Sequence, residues 1–386
     1  SNFHDVSGDG RYVAFVSGAT NFVTGDTNNR GDVFVRDRTT GETTMVSVST
    51  GGEYGNEVSS FPAISGNGRF VAFSSSATNL VANDTNGEDD IFVHDHVTGE
   101  TTRISVDSSG TQADGGSIFQ NFSYDGNLVS FHSSAANLVP NDTNGVQDIF
   151  LHNRTTGETT LVSVSSDGTQ SNGVSLYHDF AAYGCTVAFL SYGTNLVPDD
   201  TNGYGDIFVH DCTTGETTRV SVSSTGEQAN NHSSSFGDLG ISGDGRYVAF
   251  HSSATNLVEG DTNGVRDIFV HDRSTGTTTR VSVSSDGVQG NADSWVPSLS
   301  SDGRYVIFRS NSSNLVADDT NGVGDVFVHD RNTGNTIRVS VNNDGEQGNA
   351  TSGYFIGTPH LTLDGQFATF ASDASNLVPN DTNGLM

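Results

Sequence analysis

Residues 61–106 read FPAISGNGRFVAFSSSATNLVANDTNGEDDIFVHDHVTGETTRISV. Four short segments rich in Val, Ile, Phe and Thr alternate with Gly, Asp, Asn and Ser punctuation, the signature of strands joined by turns. Strands are expected at Phe61–Ser65, Arg69–Ser74, Asp90–Asp95 and Thr101–Val106, called A to D in that order. Ser65-Gly66-Asn67-Gly68 forms the A–B hairpin and Thr98-Gly99-Glu100 the C–D hairpin, because Gly and Asn tolerate the positive φ of tight turns. Both hairpins fall at one end of the unit. The longer B–C and D–A connections fall at the other, where binding surfaces are usually built.

The unit recurs along the chain. Its Val-Ala-Phe-like segment ends at Phe15, Phe73, Phe131, Phe189, Phe250, Phe308 and Phe370, with spacings of 58, 58, 58, 61, 58 and 62 residues. Seven copies of a four-stranded unit predict a single all-β domain over residues 1–386, a seven-bladed β-propeller of antiparallel blades. Approximate blade limits are 1–50, 51–108, 109–166, 167–224, 225–285, 286–343 and 344–386. A parallel β-helix is the competing repeat architecture, but its coils are shorter. The seventh copy stops at Leu385-Met386, before strands C and D, and Phe3–Val6 already serves as strand A of copy one. The last blade is therefore expected to be incomplete and the ring open between copies six and one, to be completed by further chain or by strands from a neighbouring molecule.

The pattern Ile241-Ser242-Gly243-Asp244-Gly245-Arg246-Tyr247-Val248-Ala249-Phe250, followed by Asp267-Ile268-Phe269-Val270-His271-Asp272, resembles the TolB-like, WD-related propeller repeats of bacteria. The resemblance spans essentially the whole chain. It implies the propeller fold but no single activity, since such propellers include periplasmic interaction modules and domains attached to peptidases.

The 386 residues carry 46 Asp plus Glu against 16 Lys plus Arg, a formal charge of -30, and every one of those basic residues is an arginine. Such a surface is a poor partner for nucleic acid or an anionic membrane. It suits a secreted, cell-surface or periplasmic protein, with carboxylates serving bound cations or solubility. No apolar stretch approaches the length of a membrane helix, and Ser1 opens into a strand-like segment with no leader ahead of it.

The strongest chemical constellation is an Asp-x-Asn-x-x-x-Asp loop between strands B and C. It occurs at Asp26/Asn28/Asp32, Asp84/Asn86/Asp90, Asp142/Asn144/Asp148, Asp200/Asn202/Asp206, Asp261/Asn263/Asp267 and Asp319/Asn321/Asp325. Calcium takes six to eight hard oxygens, and a tight loop of carboxylates, amide oxygens and carbonyls supplies them. The alternative is that Asp and Asn make Asx turns before strand C. A third oxygen-bearing residue, always Asp, in every complete copy favours calcium, although duplication makes the six occurrences one witness.

His94, His152, His210, His271 and His329 share one strand C position and read as structural for that reason. Departures from the repeat are more informative. Ten residues before each anchor stand Asp5, Ala63, Asn121, Asp179, Gly240, Ser298 and His360, on the strands that line a propeller's channel, with Asp5 and His360 expected to be neighbours. Aromatic residues gather where strand A begins: Phe3, Phe61, Phe119, Tyr177, Trp295 and Tyr354. They form either a carbohydrate platform or filler between blades, the second being the plainer reading.

Cys185 and Cys212 occupy the start of strand B and the end of strand C in one copy, positions that meet in an antiparallel pair. A disulfide is expected, and with it an oxidising compartment. No Gly-x-Ser-x-Gly elbow, His-Glu-x-x-His or phosphate loop is present. The function expected is an extracellular, calcium-binding module for binding, adhesion or assembly, with a protein or glycan as partner. The alternative is a polysaccharide hydrolase or lyase acting at the channel mouth.

Overall fold

The computed structural model describes residues 2–26, 28–234, 239–353, 358–379 and 381, and for residues 2, 3, 119 and 120 the backbone alone. Every strand pair is antiparallel, and six sheets of four strands each run A-B-C-D in chain order. Blade two is typical, with strands Ser59–Ile64, Phe70–Ser75, Asp90–Asp95 and Glu100–Arg103. Among the described residues six four-stranded blades are present rather than seven. The seventh copy contributes only the pair His360–Leu361 and Ala368–Thr369 among the described residues. Among those residues no helix is long and apolar enough to cross a membrane.

Alternation along strands B and C explains the blade interior. One face of each pair presents a phenylalanine opposite a phenylalanine: Phe73 and Phe92 lie 5.9 Å apart, Phe189 and Phe208 6.0 Å, Phe308 and Phe327 6.0 Å. All six of these rings are fully buried, each worth about 1.5–3 kcal/mol of hydrophobic transfer. Neighbouring blades share their cores: Ala14, Val33 and Val35 of blade one pack with Ile64, Val71 and Phe73 of blade two.

A chain of backbone hydrogen bonds joins the A–B turns around one end of the channel. Gly8 N–H donates to Gly66, Asn67 to Tyr124, Tyr124 to Ala182, Tyr183 to Gly243, Gly243 to Ser301 and Ser301 to the carbonyl of Leu363, all at 2.7–3.1 Å. The last link attaches the two-stranded element to blade six. On its other side the His360 ring lies 5.9 Å from that of His4, and the Arg38 guanidinium 4.9 Å from the Phe367 ring. The open seam expected between copies six and one is therefore bridged at its inner end. Its outer part is thinner: Phe15 and Phe370 are only half-buried, and Phe22, packed against Phe15, is 44% exposed.

Cys185 and Cys212 are bonded, with Cα atoms 5.3 Å apart. Elsewhere the residue at the Cys212 position ties the C–D turn to the A–B turn through a side chain: Arg38, Arg154, Arg273 and Arg331 donate to the carbonyls of Gly10, Gly126, Gly245 and Gly303. Blade four makes that link covalently. Titration of the denatured, unreduced protein should find no free thiol. Replacing both cysteines by serine should lower unfolding stability by up to about 3.5 kcal/mol, since the bond closes a loop of sequence separation 27.

Candidate functional site

Strand A does not keep strict alternation. Its pairing with strand B slips between Asn2 and His4, Ser60 and Ala63, Leu176 and His178, and Trp295 and Ser298. The bulge residues Phe61, Tyr177 and Val296 have φ of 51°, 42° and 51°, a left-handed backbone that costs a bulky residue energy. Bulges re-aim side chains. Here they let two consecutive residues, His4 with Asp5 and His178 with Asp179, line one cavity of about 260 Å³ on the channel, together with Asn121, Ser298, Thr358 and His360.

The two carboxylates are held alike. Asp5 accepts N–H bonds from Val6 and, across the blade boundary, from Ile64, both at 2.8 Å. Asp179 accepts from Phe180 at 2.8 Å, from Ile241 of the next blade at 2.9 Å, and from the amide of Asn121. Burial pushes both carboxyls up to about 6, against the pull of those N–H donors, and the Asp5 charge raises Asp179 further. Burial likewise holds His4, His178 and His360 down at about 4, with His360 also repelling a proton from His4. At neutral pH the cavity thus holds two carboxylates and three neutral imidazoles. No lysine or arginine is among its described lining residues.

The B–C loops are a separate structure. The second Asp of each motif is fully buried and takes a serine hydroxyl from beyond strand D, as Ser47 on Asp32, Ser105 on Asp90 and Ser221 on Asp206. The asparagines make Asx turns: the Asn28 side-chain oxygen accepts from the N–H of Arg30, while its amide donates to Asp32. The other five blades repeat this. Asn86, Asn144, Asn202, Asn263 and Asn321 accept at 2.9–3.2 Å from the N–H of Glu88, Val146, Tyr204, Val265 and Val323. Their amides donate at 2.6–3.2 Å to Asp90, Asp148, Asp206, Asp267 and Asp325. A second amide bond goes to a carbonyl beyond strand D, as from Asn86 to Ala113 and from Asn321 to Gly348.

In this geometry the asparagines of the expected Asp/Asn/Asp set are hydrogen-bonded within their own loops. The oxygens of Asn28, Asn86, Asn144, Asn202, Asn263 and Asn321 are engaged by backbone, and each presents its amide hydrogens, not its oxygen, to the second carboxylate. The physical reason is that an Asx turn takes the oxygen for the chain's own N–H. In blades two, four, five and six an arginine from strand D also stands between the two carboxylates. Arg103 lies 3.5 Å from both Asp84 and Asp90, Arg219 3.3 and 3.5 Å from Asp200 and Asp206, Arg280 3.3 and 3.4 Å from Asp261 and Asp267, and Arg338 3.2 and 3.6 Å from Asp319 and Asp325. A guanidinium at that place neutralises the paired carboxylates of its loop. Local motif reading passes over these arginines, though their signal is present: each follows the second Asp of its motif by thirteen residues. Among the described residues no three His, Cys, Asp or Glu side chains are grouped to hold a metal.

The strand C histidines are structural, as their periodicity suggested. His94, His152, His210, His271 and His329 each bond through Nδ1 to a strand D threonine at 2.8–2.9 Å, and those threonines donate to a carbonyl of the preceding blade, as Thr159 does to Val106. The aromatic set gives no open platform among the described residues. Trp295 is buried beneath Arg309, 4.8 Å away, Tyr177 packs against the core of blade four, and Phe61 is half-buried at its bulge. Tyr354 and the side chains of Phe3 and Phe119 lie outside the described residues.

Radial four-stranded antiparallel sheets around a lined channel decide the architecture. The chain is a β-propeller. Solved structures agree: the β-propeller domain of the Trilobed protease from Pyrococcus furiosus, described as having an open velcro topology, matches at TM-score 0.55 and 11% identity, over 93% of this chain and 87% of that one. Oligogalacturonate lyase in complex with manganese matches at 0.55 and 13%, over 97% and 89%. TolB from Acinetobacter baumannii matches at 0.42 and 16%, over 85% of this chain and 63% of its own, and a prolyl endopeptidase at 0.53 and 13%, over 87% and 41%. The chain thus spans less than two thirds of the length of the last two. No protein-family model and no curated protein matches it.

The cavity's pH behaviour follows from these shifts. The three histidines are neutral in the fold, while an unfolded chain protonates them below about 6.5, so their stabilisation is lost as pH falls through about 4. Asp5 and Asp179 act oppositely, stabilising most below about pH 4 and losing that contribution as pH rises through 6. Asp179→Asn removes one opposing group. Its melting temperature should therefore fall more steeply between about pH 6.5 and 4.5 than the parent's, as read by thermal melts at both values. Asp179→Ala, which leaves Ile241 N–H without its acceptor, should cost about 1–3 kcal/mol in chemical denaturation.

Proposed function

We propose that this propeller is an exported binding module whose channel cavity takes a positively charged, hydrogen-bond-donating group of a protein or glycan partner. The observation that carries the reading is the composition of the cavity: two carboxylates and three neutral histidines, with no basic side chain among the described lining residues. An ammonium or guanidinium entering it meets uncancelled negative charge in a narrow, low-dielectric place, where such attraction is strongest. The residues concerned are those that depart from the repeat, which is what a site built once on a repeated scaffold requires. The disulfide is compatible with a periplasmic or secreted setting.

Enzymatic turnover of a polysaccharide is the second reading, favoured by one observation. Carboxyls raised to about 6 beside neutral imidazoles are suited to proton transfer near neutral pH. An anionic sugar such as the oligogalacturonate named for one structural neighbour would be repelled here unless a cation accompanied it, so an amine-bearing or neutral ligand fits better.

Titration of the intact chain with basic peptides, amino sugars, and neutral and acidic oligosaccharides separates the readings. Basic ligands should bind with affinity that falls as salt rises, and Asp5→Asn with Asp179→Asn should weaken binding at least tenfold while far-UV circular dichroism is unchanged. Preference for acidic oligosaccharides, or release of products from any glycan, would overturn the binding-module reading.

A further inference from the structure

The six B–C loops share one electrostatic problem and blade one alone lacks both solutions to it. In blades two, four, five and six the strand D arginine neutralises the paired carboxylates. Blade three has Leu161 at that position, but the Gln170 amide donates to Asp142 at 2.7 Å and to Asp148 at 3.1 Å, bridging them. In blade one the arginine position is Met45, which is buried, and the glutamine position is Tyr54, whose hydroxyl donates instead to the carbonyl of Thr24 at 2.9 Å. Asp26 is only 7% exposed and Asp32 fully buried. Asp32 has its serine and asparagine donors at 2.9 and 3.0 Å. Asp26 has a buried Oδ1 with no hydrogen-bond partner, and its charge repels that of Asp32. The corresponding Oδ1 of Asp84, Asp200, Asp261 and Asp319 is the atom that faces the arginine in each sibling blade.

We propose that blade one carries a site for a hard divalent cation of the calcium class, held by Asp26 and Asp32 in the space that an arginine fills in four other blades. A buried carboxylate pair with neither a counter-charge nor a shared hydrogen-bond donor is strongly disfavoured, and a guanidinium in the sibling loops shows which charge the geometry accepts. Calcium suits the place because it tolerates irregular coordination and completes its shell with carbonyl oxygens and water. The proposal does not depend on what the channel cavity binds.

Calcium titration of the intact chain by calorimetry, alongside thermal melts in calcium and in chelator, tests it. The parent should bind about one ion per chain and melt higher in calcium. Asp26→Asn should weaken binding at least tenfold. Met45→Arg should abolish it and raise the melting temperature in chelator, because it restores the arginine of the siblings. Arg219→Met should produce a second site, since Gln228 bonds to Thr201 rather than to Asp200; this gain carries the test should Met45→Arg fold poorly. No binding by the parent, or a stoichiometry unchanged by both Met45→Arg and Arg219→Met, would overturn the proposal.

Discussion

A buried carboxylate at the start of strand C is the constraint on which each blade is organised. Asp32, Asp90, Asp148, Asp206, Asp267 and Asp325 are all fully buried, at a place where a charge is costly unless hydrogen-bonded and paired. Each therefore draws in a serine from the strand D side and an asparagine amide from its own loop. The serine also accepts the N–H of the residue after the Asp, as Ser47 does from Val33, so one polar knot fixes the loop, the start of strand C and the exit of strand D. The long B–C connection can then be rich in Asp, Asn and Gly and still have a single shape.

The fold was legible because the repeat states it seven times. Strand positions in blade two were readable to within about two residues, and strand D ran shorter than its Val and Ile content suggested, since Val106 leaves the ladder to form an isolated bridge with Gln112. The disulfide was legible because two cysteines replaced both members of one cross-strand site. The loop chemistry was only half legible. Asp and Asn at fixed spacing announce an oxygen-rich loop, and the spacing is the same whether an asparagine offers its oxygen to an ion or, as Asn86 and its counterparts do, to a backbone N–H. The residue that neutralises the loop lies on another strand, and local motif reading does not reach across a sheet.

The channel shows why bulges escape sequence reading. Alternation predicts that Asp5 faces the channel and His4 does not. The slip at the aromatic position, where Phe61 and Tyr177 adopt positive φ, brings His178 as well as Asp179 to the cavity. Nothing in the residues themselves signals that slip, because Phe, Tyr and Val are poor candidates for a left-handed backbone. Strain of this kind persists only where packing over-determines it, and here the strained strands are those that bring polar groups together.

Repeats separate two kinds of departure. Where a change in one blade is matched by a compensating change nearby, as with Cys185 and Cys212 in place of an arginine link, the blade keeps its structure by other means. Where no compensation is found, the departure leaves a group with unmet chemical demand. Asp5 and Asp179 belong partly to each kind. Each carboxylate staples its own strand to the next blade through Ile64 or Ile241, which is structural, yet each retains charge in a cavity with no basic residue among its described lining to answer it. A strand A residue such as Ala63 or Gly240 serves the fold at the same position without any carboxylate. The staple therefore does not explain why an acid stands at only two of the positions; what those two share is one cavity.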